Sequence, residues 1–166
     1  NGGGLIDEAN KILGFFLPRG TEVVSTKGKV EKLCHSYKTT SLPIFPDMPL
    51  IVMVDENSAS AAEIVAGALQ DLNRATIIGQ RTYGKGLVQR QIPMGDGSAI
   101  RLTVARYHTP SGRVIQRPYE NGHKEDYYKA HTARLQGAKS DSVMQSKIYN
   151  TLRSRREVYG GGGIRP

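Results

Sequence analysis

The sequence predicts a mixed α/β fold built on a strand–helix–strand unit in residues 50–79. Residues 50–54 are a short continuous apolar run, the pattern of a strand buried on both faces. Apolar residues with helical spacing follow between residues 60 and 72, and residues 75–78 are again mostly apolar. A strand, a crossover helix and a second strand in this order form a βαβ unit, so we expect its two strands to be parallel.

The crossover helix has a start signal at Ser60. Ser60 and Glu63 form the Ser-x-x-Glu pattern of a capping box. Chemistry in parallel α/β units usually lies at the carboxyl ends of the strands, where Ser60 is expected. The free N–H groups of a helix start could also stabilise an oxyanion there. The residues predicted to face the sheet are Ile64, Val65, Ala68, Leu69 and Leu72.

A second candidate residue, Lys85, follows the second strand of the unit. Gly84 and Gly86 remove side-chain bulk on both sides of it, which lets other backbone approach closely. Ser60 and Lys85 leave the same edge of the predicted sheet, so the topology permits a serine–lysine pair. Each residue also has an ordinary structural interpretation, because serine is a common helix N-cap and lysine is common in surface turns.

Residues 79–86 also resemble a phosphate-binding loop. The segment matches Gly-x-x-x-x-Gly-Lys after a strand, but Gly86 stands where that motif needs a serine or threonine for magnesium. A phosphate loop opens a helix, whereas residues 87–93 alternate like a strand and end in proline. Nucleotide binding therefore remains only as a weaker alternative.

The residues before this unit predict a helix, a strand and a polar loop. Residues 18–20, Pro-Arg-Gly, end the helix, and residues 21–26 are expected to form a strand that extends the α/β repeat. Residues 27–49 are polar and rich in lysine and proline, and predict a short strand near residues 29–33 and then a surface loop. The apolar helix face consists of Leu5, Ile6, Ala9, Ile12, Leu13, Phe16 and Leu17.

A β-hairpin and a polar insertion are predicted after the unit. The turn signal Gly95-Asp96-Gly97 separates residues 88–92 from the alternating residues 100–104, which we expect to pair. Residues 117–159 are charged and polar with few clustered apolar residues. They predict an insertion that is helical around residues 125–135 and 142–152.

Composition argues against several classes of protein. The 166 residues suffice for one domain with a core, and no apolar run reaches the roughly 20 residues of a membrane helix. The net charge is +8, but basic residues are scattered among acidic ones without an aromatic-rich basic surface, so we expect no nucleic-acid partner. One cysteine, Cys34, and four histidines without metal-site spacing predict no metal or other cofactor. Both termini suggest a fragment of a longer protein.

Five separated segments together resemble a known enzyme family. They are residues 1–5 (Asn-Gly-Gly-Gly-Leu), 57–69, 79–86, 105–112 and 163–166. In this order they are similar to the motifs of the carboxyl-terminal processing peptidases, or tail-specific proteases. The resemblance covers most of the chain except residues 27–45 and 117–159.

The resemblance implies a serine endopeptidase with a Ser/Lys dyad on a crotonase-like (ClpP/crotonase-type) α/β core. Ser60 would be the nucleophile and Lys85 the general base of an acyl-enzyme mechanism, because the serine and lysine of the family are 25 positions apart, as they are here. Gln89 would support Lys85. Lysine acts as a base only when neutral, a form that burial favours. Ser58 does not fit the spacing.

The same resemblance implies an oxyanion hole and partners. The amide of Ala61 and that of Gly3 or Gly4 would hold the oxyanion. Residues 1–166 would be the core of the catalytic domain, with a PDZ domain elsewhere in the full-length protein. Protein or peptide substrates would be recognised near accessible C-termini in the bacterial periplasm or cell envelope, and the oligomeric state stays open. A catalytically silent protein-binding relative, in which Ser60 is only a cap, is the other class to test.

Overall fold

The computed structural model describes residues 1–118, 124–136 and 147–166, and it has a mixed α/β fold. In the described ranges, the helices and strands are, in chain order, α1 (Ile6–Gly14), β1 (Glu22–Gly28), a 3-10 turn (Glu31–Leu33), β2 (His35–Lys38), β3 (Ile51–Val54), α2 (Ala61–Asp71), β4 (Thr76–Gly79), β5 (Leu87–Pro93), β6 (Ala99–His108), α3 (Lys124–Leu135), β7 (Ile148–Asn150) and β8 (Glu157–Tyr159).

The predicted parallel βαβ unit is present. Strands β3 and β4 are parallel, with Ile51 opposite Thr76 and Val54 opposite Gly79, and α2 connects them. The predicted face of α2 packs into the core, where Ile64 is buried. The unit therefore places the start of α2 and the loop after β4 at the same sheet edge.

The prediction that β3 is buried on both faces is wrong. The side chains of Ile51 and Met53 are 63% and 81% exposed, whereas that of Val54 is buried. In the described part of the chain β3 pairs with β4 alone, and one of its two faces carries no covering layer. An apolar run shows that each side chain is hydrophobic, but it does not show how many layers cover the strand.

The strand predicted at residues 21–26 exists, but its sheet is not the one expected. It is β1, which lies between β2 and β6 in an antiparallel sheet of order β2-β1-β6-β5. The strand expected near residues 29–33 is also wrong, because a 3-10 turn occupies residues 31–33 and β2 begins at His35. The hydroxyl of Thr26 fixes this turn by donating to the Leu33 carbonyl at 2.9 Å and accepting from the His35 amide at 3.1 Å.

Strands β5 and β6 form an antiparallel hairpin around the Gly-Asp-Gly turn. Ile92 lies opposite Ile100, and the Asp96 carboxylate accepts hydrogen bonds from the amide and hydroxyl of Ser98 at 3.0 and 2.6 Å. Strand β6 then continues beside β1 and carries Tyr107 into the core. The hairpin is thus joined to the body of the molecule through β6.

The polar insertion is only partly helical as predicted. Helix α3 confirms the helix expected around residues 125–135. The helix expected at 142–152 is wrong in its described part, because residues 148–150 form β7, which pairs with β8 and places Tyr149 opposite Val158. Residues 142–146 lie outside the described residues.

The core lies between the two helices α1 and α2 and the strands that flank them. Two members of the predicted α1 face are exposed instead, Leu5 by 70% and Ile12 by 45%, because only one side of α1 packs on α2. Across the described ranges, no helix combines the length and the apolar character needed to span a bilayer. Buried apolar members of the core include Leu13, Leu17, Val23, Val24, Ile64, Leu69, Ile77, Tyr107, Ile115 and Ile164.

Candidate active site

Ser60 has an unusual backbone conformation at the start of α2. Its φ and ψ angles are 58° and −120°, and its side chain is half-buried. A positive φ at a residue other than glycine costs about 1–3 kcal/mol and persists only where surrounding contacts enforce it. Contacts with neighbouring groups must therefore hold Ser60 in this conformation.

The carboxylate of Glu63 is the first of these groups. One of its oxygens accepts hydrogen bonds from the amides of Ser60 and Lys85 at 2.9 and 2.8 Å. The other accepts from the amide of Gly84 at 2.7 Å and from the hydroxyl of Thr82 at 2.5 Å. Residues 55–60, before α2, form the serine loop, and residues 80–86, between β4 and β5, form the lysine loop. Glu63 is thus more than the partner in a capping box, because it joins the serine loop directly to the lysine loop.

The environment of Glu63 acts on its charge in two opposing ways. The residue has no exposed surface, and this burial raises its pKa from the ordinary value. The four donors around it favour the ionised form and oppose part of that rise. The sequence pattern indicates only the capping role of Glu63, because its burial and its contacts with Gly84 and Lys85 depend on the fold.

Tyr107 connects the same two loops from the other side. Its hydroxyl lies 2.6 Å from the carbonyl oxygen of Lys85 and 3.1 Å from that of Ser60, so one phenolic proton serves both loops. Burial, and then the charge of Glu63, raise the pKa of Tyr107 well above its ordinary value, which keeps the phenol protonated as a donor. Tyr107 lies in the segment 105–112 that resembles the family, but no sequence pattern indicates its contacts with the two loops.

Two of the three predicted oxyanion-hole residues, Gly3 and Ala61, lie beside Ser60. Gly3 has a φ of 91°, and a Cβ placed on it would lie 2.7 Å from the Ser60 Cβ and 2.8 Å from the Ala61 nitrogen. The Ala61 amide makes no hydrogen bond to another described residue, whereas the Gly3 amide donates to the side chain of Asn1 at 2.9 Å. Gly4 is exposed, and a Cβ on it would meet nothing within 4 Å.

Lys85 and Gln89 line one cavity of about 1120 Å³, but they are not in contact through the Gln89 amide. That amide donates instead to the hydroxyl of Thr103 at 3.4 Å. Lys85 is half-buried. Within the described ranges, no hydrogen bond joins the hydroxyl of Ser60 to the ammonium group of Lys85. The structure thus brings the two backbones together without closing the side-chain pair.

Ser58 and the glycine-rich loop have other structural tasks. The Ser58 hydroxyl donates to the Asp55 carboxylate at 2.9 Å and so forms the turn before α2. The loop at residues 79–86 continues into β5 rather than into a helix, and its Gly84 and Lys85 amides donate to Glu63. Amides that would cradle a phosphate are therefore occupied by a carboxylate of the protein itself.

A metal-dependent site has no support in the part of the chain that the structure describes. No group of three or more histidine, cysteine, aspartate and glutamate side chains is placed there to hold an ion. Cys34 is free and exposed.

Comparisons with known proteins point to one family. The model of peptidase family S41 matches residues 1–128. A carboxy-terminal-processing protease of Bartonella bacilliformis is 48% identical over 116 residues, which are 70% of this chain and 26% of the relative. A carboxyl-terminal-processing protease of Synechocystis is 40% identical over 119 residues, 70% of this chain and 27% of the relative. The chain thus spans about a quarter of the length of these curated relatives.

Solved structures give the same result for the fold. The photosystem II D1 C-terminal processing protease superposes with a TM-score of 0.62 at 38% identity, over 70% of this chain and 30% of that one. Mature CPAF has a TM-score of 0.57 at 15% identity, over 86% of this chain and 43% of that one, and it shows the likeness of fold alone.

Proposed function

Because this chain belongs to peptidase family S41, we propose that it forms the catalytic core of a serine endopeptidase with Ser60 as nucleophile and Lys85 as general base. The observation that carries this proposal is the double connection between the serine loop and the lysine loop. Glu63 joins their amides and Tyr107 joins their carbonyls. A fold has no general need to fix these two loops against each other, whereas a serine–lysine pair does.

In the proposed mechanism the Ser60 hydroxyl attacks the peptide carbonyl carbon while the neutral amine of Lys85 takes its proton. The developing oxyanion accepts hydrogen bonds from the Ala61 amide and from that of Gly3 or Gly4. Lys85 then gives its proton to the leaving amine, and an acyl-enzyme remains on Ser60. Water, deprotonated by Lys85, attacks this ester and releases the second product.

The supporting residues have separate tasks in this mechanism. The positive φ of Ser60 is maintained by Glu63, which keeps the nucleophile in one position relative to the Ala61 amide. Gln89 would support Lys85, since it lines the same cavity and its 3.4 Å bond to Thr103 is long enough to be exchanged.

The names of the relatives support a proposal about substrates. Both curated relatives are C-terminal processing proteases, so we propose protein substrates that are recognised near their C-termini. A PDZ domain elsewhere in the full-length protein would supply that recognition. These relatives come from bacteria, and a chloroplast C-terminal processing peptidase is also similar, which supports a place in the bacterial cell envelope.

Hydrolysis of a reporter peptide by the full-length protein tests the proposal. Ser60→Ala and Lys85→Ala should each lower kcat by at least about a thousandfold, because each removes a group that acts in the bond-breaking steps. Lys11→Ala, which changes an exposed lysine of α1, should stay within about threefold of the wild type. Unchanged turnover in Lys85→Ala would contradict the dyad.

Labelling distinguishes the peptidase from the silent protein-binding class. An active-serine probe should modify the wild-type protein at Ser60 and leave Ser60→Ala unmodified. A wild-type protein that neither hydrolyses peptides nor reacts with the probe would support the silent binder instead.

A further inference from the structure

The cavity that contains Lys85 is strongly basic. It lies between β5, β6, residues 114–118 and α3, and no aspartate or glutamate is among the described residues that line it. Such a wall gives the cavity a positive potential, which favours anionic groups. The cationic residues that line it are Lys85, Arg101, Arg106, Arg117 and Lys147.

Arg117 differs from the other cations because it is buried and held in one position. Only 8% of it is exposed, and its guanidinium carbon lies 4.4 Å from the ring centre of Tyr83 and 4.2 Å from that of Tyr127. Its amide donates to the carbonyl of Gly84 at 3.0 Å, so it sits directly against the lysine loop. A Cβ at Gly84 would lie 2.6 Å from the Arg117 Cγ, so this packing requires the glycine.

One edge of the Arg117 guanidinium has no hydrogen-bond partner among the described residues. The rings of Tyr83 and Tyr127 both lie against it, with their centres 6.3 Å apart, and its Nε and Nη2 atoms are buried without a hydrogen-bond partner in the described part of the chain. The N–H bonds of Nε and Nη2 run side by side on one edge of the plane, the fork that binds both oxygens of a carboxylate. Buried donors are normally paired.

A second buried arginine, Arg113, has a carboxylate partner, although its Nε also lacks a hydrogen-bond partner among the described residues. Arg113 has an ion pair with the Asp71 carboxylate at 2.7 Å, and it donates to the Gln70 side chain at 2.6 Å and to the Tyr159 carbonyl at 3.2 Å. Its carboxylate is thus supplied from within the fold. No described residue supplies a carboxylate to Arg117.

We propose that Arg117 binds a carboxylate of the substrate and directs cleavage toward peptides that carry one near the scissile bond. The inference rests on the proposed function, since the cavity is the one that holds Lys85. The carboxylate is either the free C-terminus of the substrate or the side chain of an aspartate or glutamate. Both match the planar fork of the guanidinium.

Two peptide pairs test the proposal in the full-length protein. In one pair the C-terminus is a free acid or an amide, and in the other an internal glutamate is replaced by glutamine. We expect the wild type to favour the acidic member of at least one pair by about tenfold to a hundredfold in kcat/KM, the range of a charge-assisted hydrogen bond. The pair that is discriminated identifies the source of the carboxylate.

Matched variants assign that preference to Arg117. Arg117→Gln should reduce the ratio to about one, and Arg117→Lys, which keeps the charge and loses the fork, should reduce it most of the way. The far-UV circular dichroism spectra of both variants should match that of the wild type, which shows that the variants fold. Arg90→Gln, an exposed arginine of β5 that does not line the cavity, should keep the wild-type ratio.

Binding measurements separate this inference from the proposed function. Fluorescence anisotropy with Ser60→Ala should show tighter binding of the acidic peptide, and Arg117→Gln in that background should remove the difference. If the wild type binds the acidic peptide more tightly than the neutral one but hydrolyses neither, the peptidase assignment is overturned and the carboxylate site is supported. Equal kcat/KM and equal binding of acidic and neutral peptides, or a preference that survives Arg117→Gln, would overturn the carboxylate site.

Discussion

Replacement of Glu63 by glutamine removes the charge that joins the serine and lysine loops while keeping the shape of the side chain. Glu63 accepts four hydrogen bonds, two at each carboxylate oxygen. Glutamine can accept at only one of these two positions. The amide group must therefore face at least one backbone N–H group at a distance where two donors repel.

The structure allows the cost of this substitution to be estimated. In the less costly orientation of the glutamine side chain, its NH₂ group faces the Thr82 hydroxyl, which can turn to accept a hydrogen bond from it. The Gly84 amide, which donates to the same carboxylate oxygen in the wild type, is then left unpaired. An unpaired buried donor costs about 1–3 kcal/mol, and charge-assisted bonds of about 1.5–3 kcal/mol become neutral bonds of about 0.5–1.5 kcal/mol. Relief of the buried charge offsets part of this, so we expect Glu63→Gln to lower the free energy of unfolding by about 2–4 kcal/mol.

Thermal denaturation and turnover measure this effect together. A loss of that size should lower Tm by roughly 5–15 °C in a chain of this length. A shift of the lysine loop by about 1 Å should lower kcat by about a hundredfold. Glu8→Gln is the matched control, since Glu8 is exposed and forms an ion pair with Lys11 at 2.8 Å. A Glu63→Gln protein with wild-type Tm and kcat would refute the connecting role of Glu63.

The pH dependence of stability gives an independent check on Glu63. Burial raises its pKa, so the folded protein holds this proton more tightly than the unfolded chain does. Stability from this group is therefore fully present below the ordinary value of 4.5 and is lost as the pH rises through the higher value of the folded state. Glu63→Gln does not titrate, so this part of the pH dependence should be absent from the variant.

Three further substitutions follow from the contacts described above. Gly3→Ala should abolish peptide hydrolysis, because its Cβ would lie within 2.8 Å of the serine loop. Gly2→Ala, whose Cβ would meet nothing within 4 Å, should keep the wild-type kcat. An active Gly3→Ala protein would show that the serine loop can move aside. Tyr107→Phe removes one hydroxyl that is shared by two carbonyl groups. It should lower the free energy of unfolding by about 1 kcal/mol and should lower kcat more than it changes KM. An unchanged kcat would show that the hydroxyl has no positioning role. Asp71→Asn should destabilise the fold by about 3–5 kcal/mol in urea titrations because it leaves Arg113 buried without its carboxylate, and a loss below 1 kcal/mol would contradict this.

Local patterns in the sequence predicted the elements of the fold better than their partners. The apolar run at residues 50–54 and the helical spacing after Ser60 gave the βαβ unit correctly, because both depend on neighbouring residues. The pairing of β1 with β6 joins residues about 80 positions apart, and nothing in the local pattern of β1 specifies that partner. Exposure of β3 likewise depends on which layers cover it.

The residues proposed to react stand in recognisable sequence motifs, whereas the residues that join their loops do not. Ser60 and Lys85 stand in motifs that local spacing identifies, whereas Tyr107 reaches them only through the path of β6. Arg117 had a usable signal, since Arg113, Ile115 and Arg117 alternate and all three are buried. When every second residue of a segment is buried and some of these residues are arginines, each buried arginine needs a partner for its charge.

The contacts of Thr82 bear on when the site can form during synthesis. The Thr82 hydroxyl accepts from the Ile164 amide at 2.6 Å while it donates to Glu63, and the Thr82 amide donates to the Ile164 carbonyl at 3.0 Å. A nascent chain holds its serine and lysine long before residue 164 leaves the ribosome. The contacts that hold Thr82 against Glu63 and Ile164 can therefore be completed only after residue 164 has left the ribosome, so this arrangement of the two loops is a late event in the folding of the chain.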